Sequence, residues 1–137
     1  APAQGALGVG CREDDAETLA ALELMDDFAA RVAAEAEREL LNFLRGGCRA
    51  PVGARGFLEG EEGNRTLRLV GRVLSLDGRE CLEDELSAPL PQASLSSPSK
   101  KSSSSSSSSS SSLGRRLAER LLARGAARLI DAARTPG

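Results

Sequence analysis

The sequence contains no histidine, tryptophan or tyrosine, and its aromatic side chains are three phenylalanines. Without histidine the chain cannot supply a histidine general base, a cysteine–histidine pair or a zinc–histidine site. With so few aromatic rings, we do not expect nucleic-acid bases to stack on this protein. These absences exclude several common enzyme and nucleic-acid-binding classes.

The sequence also lacks a strong charge of either sign and a long apolar run. It has 18 basic and 20 acidic residues, for a formal net charge of −2. This balance gives no overall attraction to nucleic acid or to an anionic membrane. No apolar stretch approaches the roughly 18 residues that a membrane-spanning helix needs. We therefore expect neither a nucleic-acid partner nor a membrane partner.

Cysteine is scarce, with three residues at Cys11, Cys48 and Cys81. The number is odd and the spacing is not that of a metal site, so a reducing compartment is favoured over a disulfide framework. The chain begins on APAQGALGVG without a methionine. We expect it to be a processed or truncated piece of a longer protein.

Residues 16–44 show the spacing of an amphipathic helix. Apolar side chains recur every three or four positions on one face; they are Leu19, Leu22, Met25, Phe28, Val32, Ala36, Leu40 and Phe43. This stretch is long for one globular helix, so we expect a break near MDDF and two helices, over about 15–25 and 27–44.

The ends of these helices carry recognisable signals. Asp14 or Asp15 is the expected N-cap of the first helix, and Gly46 with Gly47 is the expected C-cap of the second. Asp26 and Asp27 are also best explained as cap or solvent-exposed residues rather than as catalysts. Before the first helix, residues 2–11 are small and apolar with three glycines, which predicts a short buried strand.

After Pro51 the pattern changes to that of strands. VGARGFLEG predicts a first strand, and EEGN a turn. RTLRLVGRVLSL alternates, with Leu67, Leu69, Gly71 and Val73 on one side. The Asp77–Gly78 pair is a strong hairpin signal, and RECLEDELSA follows as a third strand. The sequence therefore predicts a three-stranded antiparallel meander.

Residues 94–112 are almost all serine, which leaves too little apolar surface to offset the entropy of ordering. We expect a disordered insertion there. Residues 113–134 then form an amphipathic helix, in which Gly125 is a weak point or a packing contact. The predicted fold class is α+β, a small three-stranded antiparallel sheet covered on one face by helices.

Cys48 lies in LRGGCRAPVG, between the helical pattern and the first strand. It could be a small buried side chain, since free cysteine is among the most buried residue types. It could also be a reactive anchor, because Gly46 and Gly47 leave space beside the sulfur and Arg45 and Arg49 favour the thiolate. The partial negative charge at the helix C-terminus opposes the thiolate. These effects leave both interpretations open.

The segment AERELLNFLRGGCRAPVG resembles the cofactor-attachment segment of the hydroxymethylbilane synthase family, also called porphobilinogen deaminases. PAQGALGVGCREDD, LVGRVLSLDG and LGRRLAERLLARGAARLI are similar to further segments of that family. The sequence departs from the family pattern at Ala3, where glycine is usual, and at Gly10, where glutamate is usual.

The resemblance implies an activity and a cofactor. Family enzymes join porphobilinogen units head to tail with release of ammonia, and make the linear tetrapyrrole hydroxymethylbilane. The growing chain is attached to a dipyrromethane cofactor, which the resemblance places on Cys48 through a thioether. It also places Gly46 and Gly47 in the cofactor loop and Arg12 near the pyrrole carboxylates. The implied compartment is the cytoplasm or a plastid.

The resemblance further implies that the chain is part of an enzyme. Residues 1–25 correspond to the last strand and helix of the upstream catalytic domain, and residues 26–137 to the C-terminal cofactor-anchoring domain. The general acid of the family lies in the upstream domains, so we expect no catalytic residue in this chain, no turnover by the chain alone, and poor packing of residues 1–25. The alternative is a non-catalytic interaction domain of the same fold, with Cys48 unmodified.

Overall fold

The computed structural model describes residues 1–45, 50–61, 64–90 and 109–134. In chain order these residues form helices α1 (Ala16–Glu23) and α2 (Phe28–Phe43), strands β1 (Val52–Glu59), β2 (Thr66–Leu74) and β3 (Cys81–Pro89), and helices α3 (Ser109–Ala123) and α4 (Ala126–Arg134).

The predicted break between the first two helices is confirmed, and aspartate caps explain it. Asp15 is the N-cap of α1, where its carboxylate accepts a hydrogen bond from the backbone N–H of Thr18 at 3.0 Å. Asp27 caps α2 by accepting from the N–H of Ala30 at 3.0 Å. Each carboxylate satisfies a backbone donor that the first helical turn leaves free. The chain therefore ends one helix and starts another within a few residues.

The predicted antiparallel meander is also confirmed. The strand order is β1-β2-β3, with Val52 opposite Val73 and Leu74 opposite Cys81. Gly78 in the β2–β3 connection has a φ of +72°, which glycine adopts at little cost. One face of β2 is buried, as the alternation predicts.

The opposite face of the sheet is polar and carries cross-strand ion pairs. Arg68 pairs with Glu85 at 2.6 Å, and Arg72 pairs with Glu83. These pairs are exposed, so each contributes little to stability. Their position confirms that the helices cover one face of an α+β fold.

The core lies between the buried sheet face and helices α2, α3 and α4. Its largest fully buried side chains are Leu40, Leu67, Leu69, Leu113, Leu117, Leu121, Ile130 and Val73. Two glycines permit close approaches within the core. A Cβ on Gly71 would lie 2.9 Å from Leu40 Cδ2, and a Cβ on Gly114 would lie 2.6 Å from the carbonyl oxygen of Ala36. Helix α3 therefore crosses α2 with its backbone almost in contact.

The predicted strand over residues 2–11 is wrong. Residues 2–5 form a turn and residues 6–12 have no regular structure. A strand needs a neighbouring backbone for its hydrogen bonds, and the described sheet contains β1, β2 and β3 alone. Poor packing of this segment was expected and is confirmed, since none of residues 1–25 is buried and Leu7 is 99% exposed.

The predicted apolar stripe is only partly buried. Val32, Ala36 and Leu40 are buried as expected, whereas Met25 is 74% exposed and Phe43 is 43% exposed. Met25 lies between α1 and α2, outside the part of the chain that packs on the sheet. Phe43 instead lies 5.4 Å beneath the guanidinium of Arg115, a cation–π contact at the edge of the domain. The core-facing part of the stripe thus starts in α2.

The C-terminal helix differs from the prediction at two points. It starts at Ser109, so the last four residues of the predicted disordered stretch are helical, while residues 94–108 lie outside the described residues. It also ends at Ala123, and α4 begins at Ala126 after Gly125, whose φ is +95°. This left-handed residue ends α3 as a glycine after a helix commonly does. The suspected weak point is therefore a complete break.

Glu39 of α2 provides a pH-dependent contact with α3. Its half-buried carboxylate accepts a hydrogen bond from the backbone N–H of Arg115 at 3.3 Å. Burial raises the pKa of Glu39, and hydrogen bonds from the N–H groups of Arg115 and Gly114 partly oppose that rise. Because the folded chain binds this proton more tightly, the free energy of unfolding falls as the pH rises from the ordinary glutamate pKa through the raised one.

We therefore expect Glu39→Gln, which keeps an acceptor oxygen, to raise Tm at pH 7 by up to about 4 °C. The gain should vanish at acidic pH, where the native carboxyl is already protonated. Thermal unfolding between pH 4 and 7 measures this, with the exposed Glu35→Gln of the same helix as control. A lower Tm for Glu39→Gln at pH 7 would show that its charge is stabilising instead.

Candidate functional site

The predicted cofactor loop is bounded by two well-packed elements. Cys48, Gly46 and Gly47 fall in residues 46–49, outside the described residues, so their predicted C-cap and anchor roles stay predictions. The described flanks are Arg45, where the chain leaves α2, and Ala50, where it approaches β1. The structure therefore defines the site through the two residues that flank the loop, Arg45 and Ala50.

The end of α2 is fixed by the core and by α4. The buried Leu44 donates its N–H to the carbonyl of Leu40 at 3.0 Å. Arg45 follows with a φ of +51°, a left-handed conformation that directs the chain out of the helix. The carbonyl of Arg45 accepts a hydrogen bond from the guanidinium of Arg134 at the end of α4. The chain thus enters the predicted loop from a position set by two helices.

The other end is fixed by the sheet. Val52 is buried and opposes Val73, and the carbonyl of Pro51 accepts a hydrogen bond from the N–H of Leu74 at 3.0 Å. Pro51 lacks an N–H and has a restricted φ, which suits the residue directly before an edge strand such as β1. Residues 46–49 therefore connect two fixed points of the fold.

Arg134 changes the electrostatic balance at this site. A helix C-terminus carries partial negative charge, which disfavours a thiolate placed beside it. The Arg134 guanidinium lies at that C-terminus on the carbonyl of Arg45, and it also pairs with Asp131 at 3.4 Å. Arg45 itself is exposed and has no ion pair among the described residues. Among the described residues, Arg45 is thus a cation without an acidic partner at this end of the loop, and it can favour a bound carboxylate.

Arg12 is the one predicted site residue that the structure describes. Its guanidinium donates to both carboxylate oxygens of Asp14, at 3.0 Å and 2.6 Å. This hydrogen bonding lowers the pKa of Asp14 and raises that of Arg12. The side chain of Arg12 is 81% exposed, so a substrate carboxylate could compete with Asp14 for it. The predicted contact with pyrrole carboxylates stays a prediction.

The other two cysteines lie in ordinary positions. Cys11 is half-buried in the irregular segment before α1, and Cys81 is exposed at the start of β3. Cys81 therefore lies in the sheet, whereas Cys11 lies outside both the core and the sheet. In the part of the chain that the structure describes, no group of three metal-ligating side chains could hold a metal ion. Within the same part, every helix is too short or too polar to cross a membrane.

Glu37 is a polar residue of the core that the sequence reasoning missed. It is 9% exposed, and Oε1 accepts a hydrogen bond from the backbone N–H of Gly56 at 2.7 Å. Its Oε2 accepts from the N–H of Ala3 at 2.5 Å. The sequence does not distinguish it, because Glu35, Arg38 and Glu39 are charged residues of the same helical stretch.

The comparison with known proteins identifies the family. Residues 31–123 match the family described as "Porphobilinogen deaminase, C-terminal domain". This chain belongs to the porphobilinogen deaminase family. The resemblance of the Gly-Gly-Cys segment is thereby confirmed at the level of the family, and Cys48 lies within the matched residues.

Individual porphobilinogen deaminases are similar over most of the chain. The porphobilinogen deaminase of Synechococcus sp. is 37% identical over 127 residues, which are 93% of this chain and 33% of that protein. That of Pelobacter propionicus is 36% identical over 128 residues, 93% of this chain and 34% of that protein. That of Corynebacterium diphtheriae is 47% identical over 90 residues, 66% of this chain. The chain spans about a third of the length of these relatives.

Proposed function

We propose that this chain is the C-terminal, dipyrromethane-carrying part of a porphobilinogen deaminase, and that Cys48 is the attachment residue. The observation that supports this most is the position of the Gly-Gly-Cys segment inside the family match at residues 31–123. As part of the longer protein, it would serve a transferase that joins porphobilinogen units into hydroxymethylbilane. By itself it would not turn over substrate.

The residues present fit the dipyrromethane group. A cysteine sulfur is a soft nucleophile, and it forms a C–S bond that water does not cleave. The described flank adds positive charge through the exposed Arg45, while Arg134 on the Arg45 carbonyl is paired with Asp131. An exposed arginine suits a ligand that carries several carboxylates. When bound, the cofactor supplies the pyrrole to which further substrate units are added.

Cys48 would act as nucleophile once, when the cofactor is attached. Loss of ammonia from an aminomethylpyrrole leaves an electrophilic methylene carbon, and the Cys48 thiolate supplies the electron pair of the new C–S bond. The departing amine carries away the proton that a general acid provides. We assign that acid to the parts of the enzyme outside this chain. Asp15 and Asp27 are occupied as helix caps and are not candidates.

Intact-protein mass and peptide mapping test the proposal. In the complete enzyme we expect the mass of a dipyrromethane on the peptide that contains Cys48, and unmodified peptides for Cys11 and Cys81. In the isolated 137-residue chain we expect a free thiol at Cys48 and no consumption of porphobilinogen. An active complete enzyme with an unmodified Cys48 would overturn the assignment and favour a non-catalytic interaction domain.

A further inference from the structure

Strand β3 lies at one edge of the described sheet and has β2 on one side only. The hydrogen bond from the N–H of Ser75 to the carbonyl of Glu80 sets the alternation between the two strands, so the even-numbered residues of β3 bond to β2. The odd-numbered residues, from Cys81 to Pro89, therefore direct their backbone groups outward. Such a row of outward groups can pair with the edge of another sheet.

The outward groups in the middle of β3 are already occupied by side chains. The N–H of Glu85 donates to Oδ1 of Asp84 at 2.9 Å, and the carbonyl of Glu83 accepts from the guanidinium of Arg124 in α3 at 2.7 Å. Pro89, at the end of the strand, has no N–H to donate. A second strand would therefore have to displace these side chains before it could pair with the middle of β3.

Helix α3 holds Asp84 in this position. The side chain of Asp84 is 11% exposed, and its Oδ1 also accepts a hydrogen bond from the guanidinium of Arg120 at 2.8 Å. The guanidinium of Arg124 lies 3.8 Å from Oδ2 of the same carboxylate. We call Asp84, Arg120 and Arg124 the edge cluster. Through these side chains α3 contacts the outer edge of the sheet as well as the core.

The position of Asp84 is costly for a residue that serves stability alone. It lies between Leu82 and Leu86 on the side of β3 that faces the helices, and both leucines pack against the core. Its Oδ2 is buried and has no hydrogen-bond partner in the part of the chain that the structure describes. A buried acceptor without a partner lowers stability. An inward-pointing charge on an edge strand is, however, one way in which proteins prevent edge-to-edge pairing.

We propose that the edge cluster closes the outer edge of β3 to β3 of a second copy of this chain. Two copies of one edge strand can pair antiparallel about a twofold axis, because the same surface then serves both sides of the contact. Asp84 and Arg124 prevent this pairing by occupying the N–H and carbonyl groups at its centre. Every residue of the edge cluster belongs to β3 or α3, so the inference is independent of Cys48 and its cofactor.

The test is Asp84→Val in the 137-residue chain, with Glu85→Val as matched control. Both variants remove one negative charge and introduce the same β-branched side chain, but Glu85 lies on the exposed face of the sheet, where it pairs with Arg68. In light scattering we expect the mass of Asp84→Val to double as its concentration rises, while the wild-type chain and Glu85→Val keep theirs. The paired copies should protect the outward amides of β3 from hydrogen exchange. In dilute solution, where Asp84→Val is monomeric, its Glu85 amide should instead exchange at least about tenfold faster than in the wild type.

A constant mass of Asp84→Val at every concentration would overturn the inference. Association that leaves the outward amides of β3 unprotected would also overturn it, since the contact would then involve another surface. The wild-type chain gives a test that does not depend on the folding of a variant. Its Glu85 amide should exchange at least about tenfold more slowly than the outward amide of Ser87, which has no partner among the described residues. Equal exchange rates at these two amides would show that Asp84 does not close the edge.

Discussion

Replacement of Cys48 by alanine in the complete enzyme is expected to abolish the assembly of the pyrrole chain. Under the proposed function the thioether at Cys48 is the only link between protein and cofactor, and alanine has no atom that could form it. Cys48→Ser should also be severely impaired, because a hydroxyl is a much weaker nucleophile than a thiol near neutral pH. Formation of the tetrapyrrole product, measured together with intact mass, checks both variants.

The other cysteines provide the controls for this experiment. Cys11 is half-buried and Cys81 is exposed, and neither contributes to the core. Cys11→Ala and Cys81→Ala should therefore retain the cofactor and nearly full activity, with a change in stability below about 1 kcal/mol. Product formation by Cys48→Ala at the wild-type rate would contradict the anchor role. Loss of activity in Cys81→Ala would instead indicate that the functional cysteine lies at the start of β3.

The parts of the fold that follow from local chemistry could be predicted from the sequence. The alternation of Leu67, Leu69 and Val73 fixes which face of β2 is buried, because successive side chains of a strand point to opposite sides. The break between α1 and α2 follows from Asp27, whose carboxylate starts a new helix. Each of these signals depends on residues that are close together in the sequence, so it can be recognised without knowledge of the tertiary structure.

The parts that depend on distant partners could not be predicted. Residues 2–11 have the composition of a strand, but the described sheet offers no edge paired with them. Glu37 resembles an ordinary surface glutamate until Ala3 and Gly56 are brought to its two oxygens. Composition favours a strand for residues 2–11 and an exposed position for Glu37. Contacts with residues distant in the sequence determine the observed structure in both cases.

The candidate site shows the same division. The Gly-Gly-Cys segment could be recognised in the sequence, since its residues are contiguous and specific to the family. The contact of Arg134 with the carbonyl of Arg45 could not, because it joins residues 89 positions apart. That contact is nevertheless what places a cation at the end of α2, beside the predicted loop.

Substitution of Gly114, where α3 crosses α2, is expected to lower the free energy of unfolding strongly. A Cβ there would lie 2.6 Å from the carbonyl oxygen of Ala36 and 2.9 Å from Cβ of Glu39, and the first of these belongs to a backbone that cannot rotate away. Gly114→Ala must therefore push α3 off α2. We expect a loss of about 2–3 kcal/mol in the free energy of unfolding, after allowing for the better helix propensity of alanine.

Two further glycines calibrate the effect. A Cβ on Gly71 would meet the flexible ends of Leu40, Leu117 and Leu121 at 2.9–3.2 Å, so Gly71→Ala should cost less, about 1–2 kcal/mol. Gly53→Ala, whose nearest neighbour would be Arg72 Cβ at 4.0 Å, should change the free energy by no more than about 0.5 kcal/mol. Urea unfolding of the three variants measures this order. If Gly114→Ala were as stable as Gly53→Ala, α3 would not cross α2 at this distance, and the contact from Glu39 to the backbone of Arg115 would fail with it.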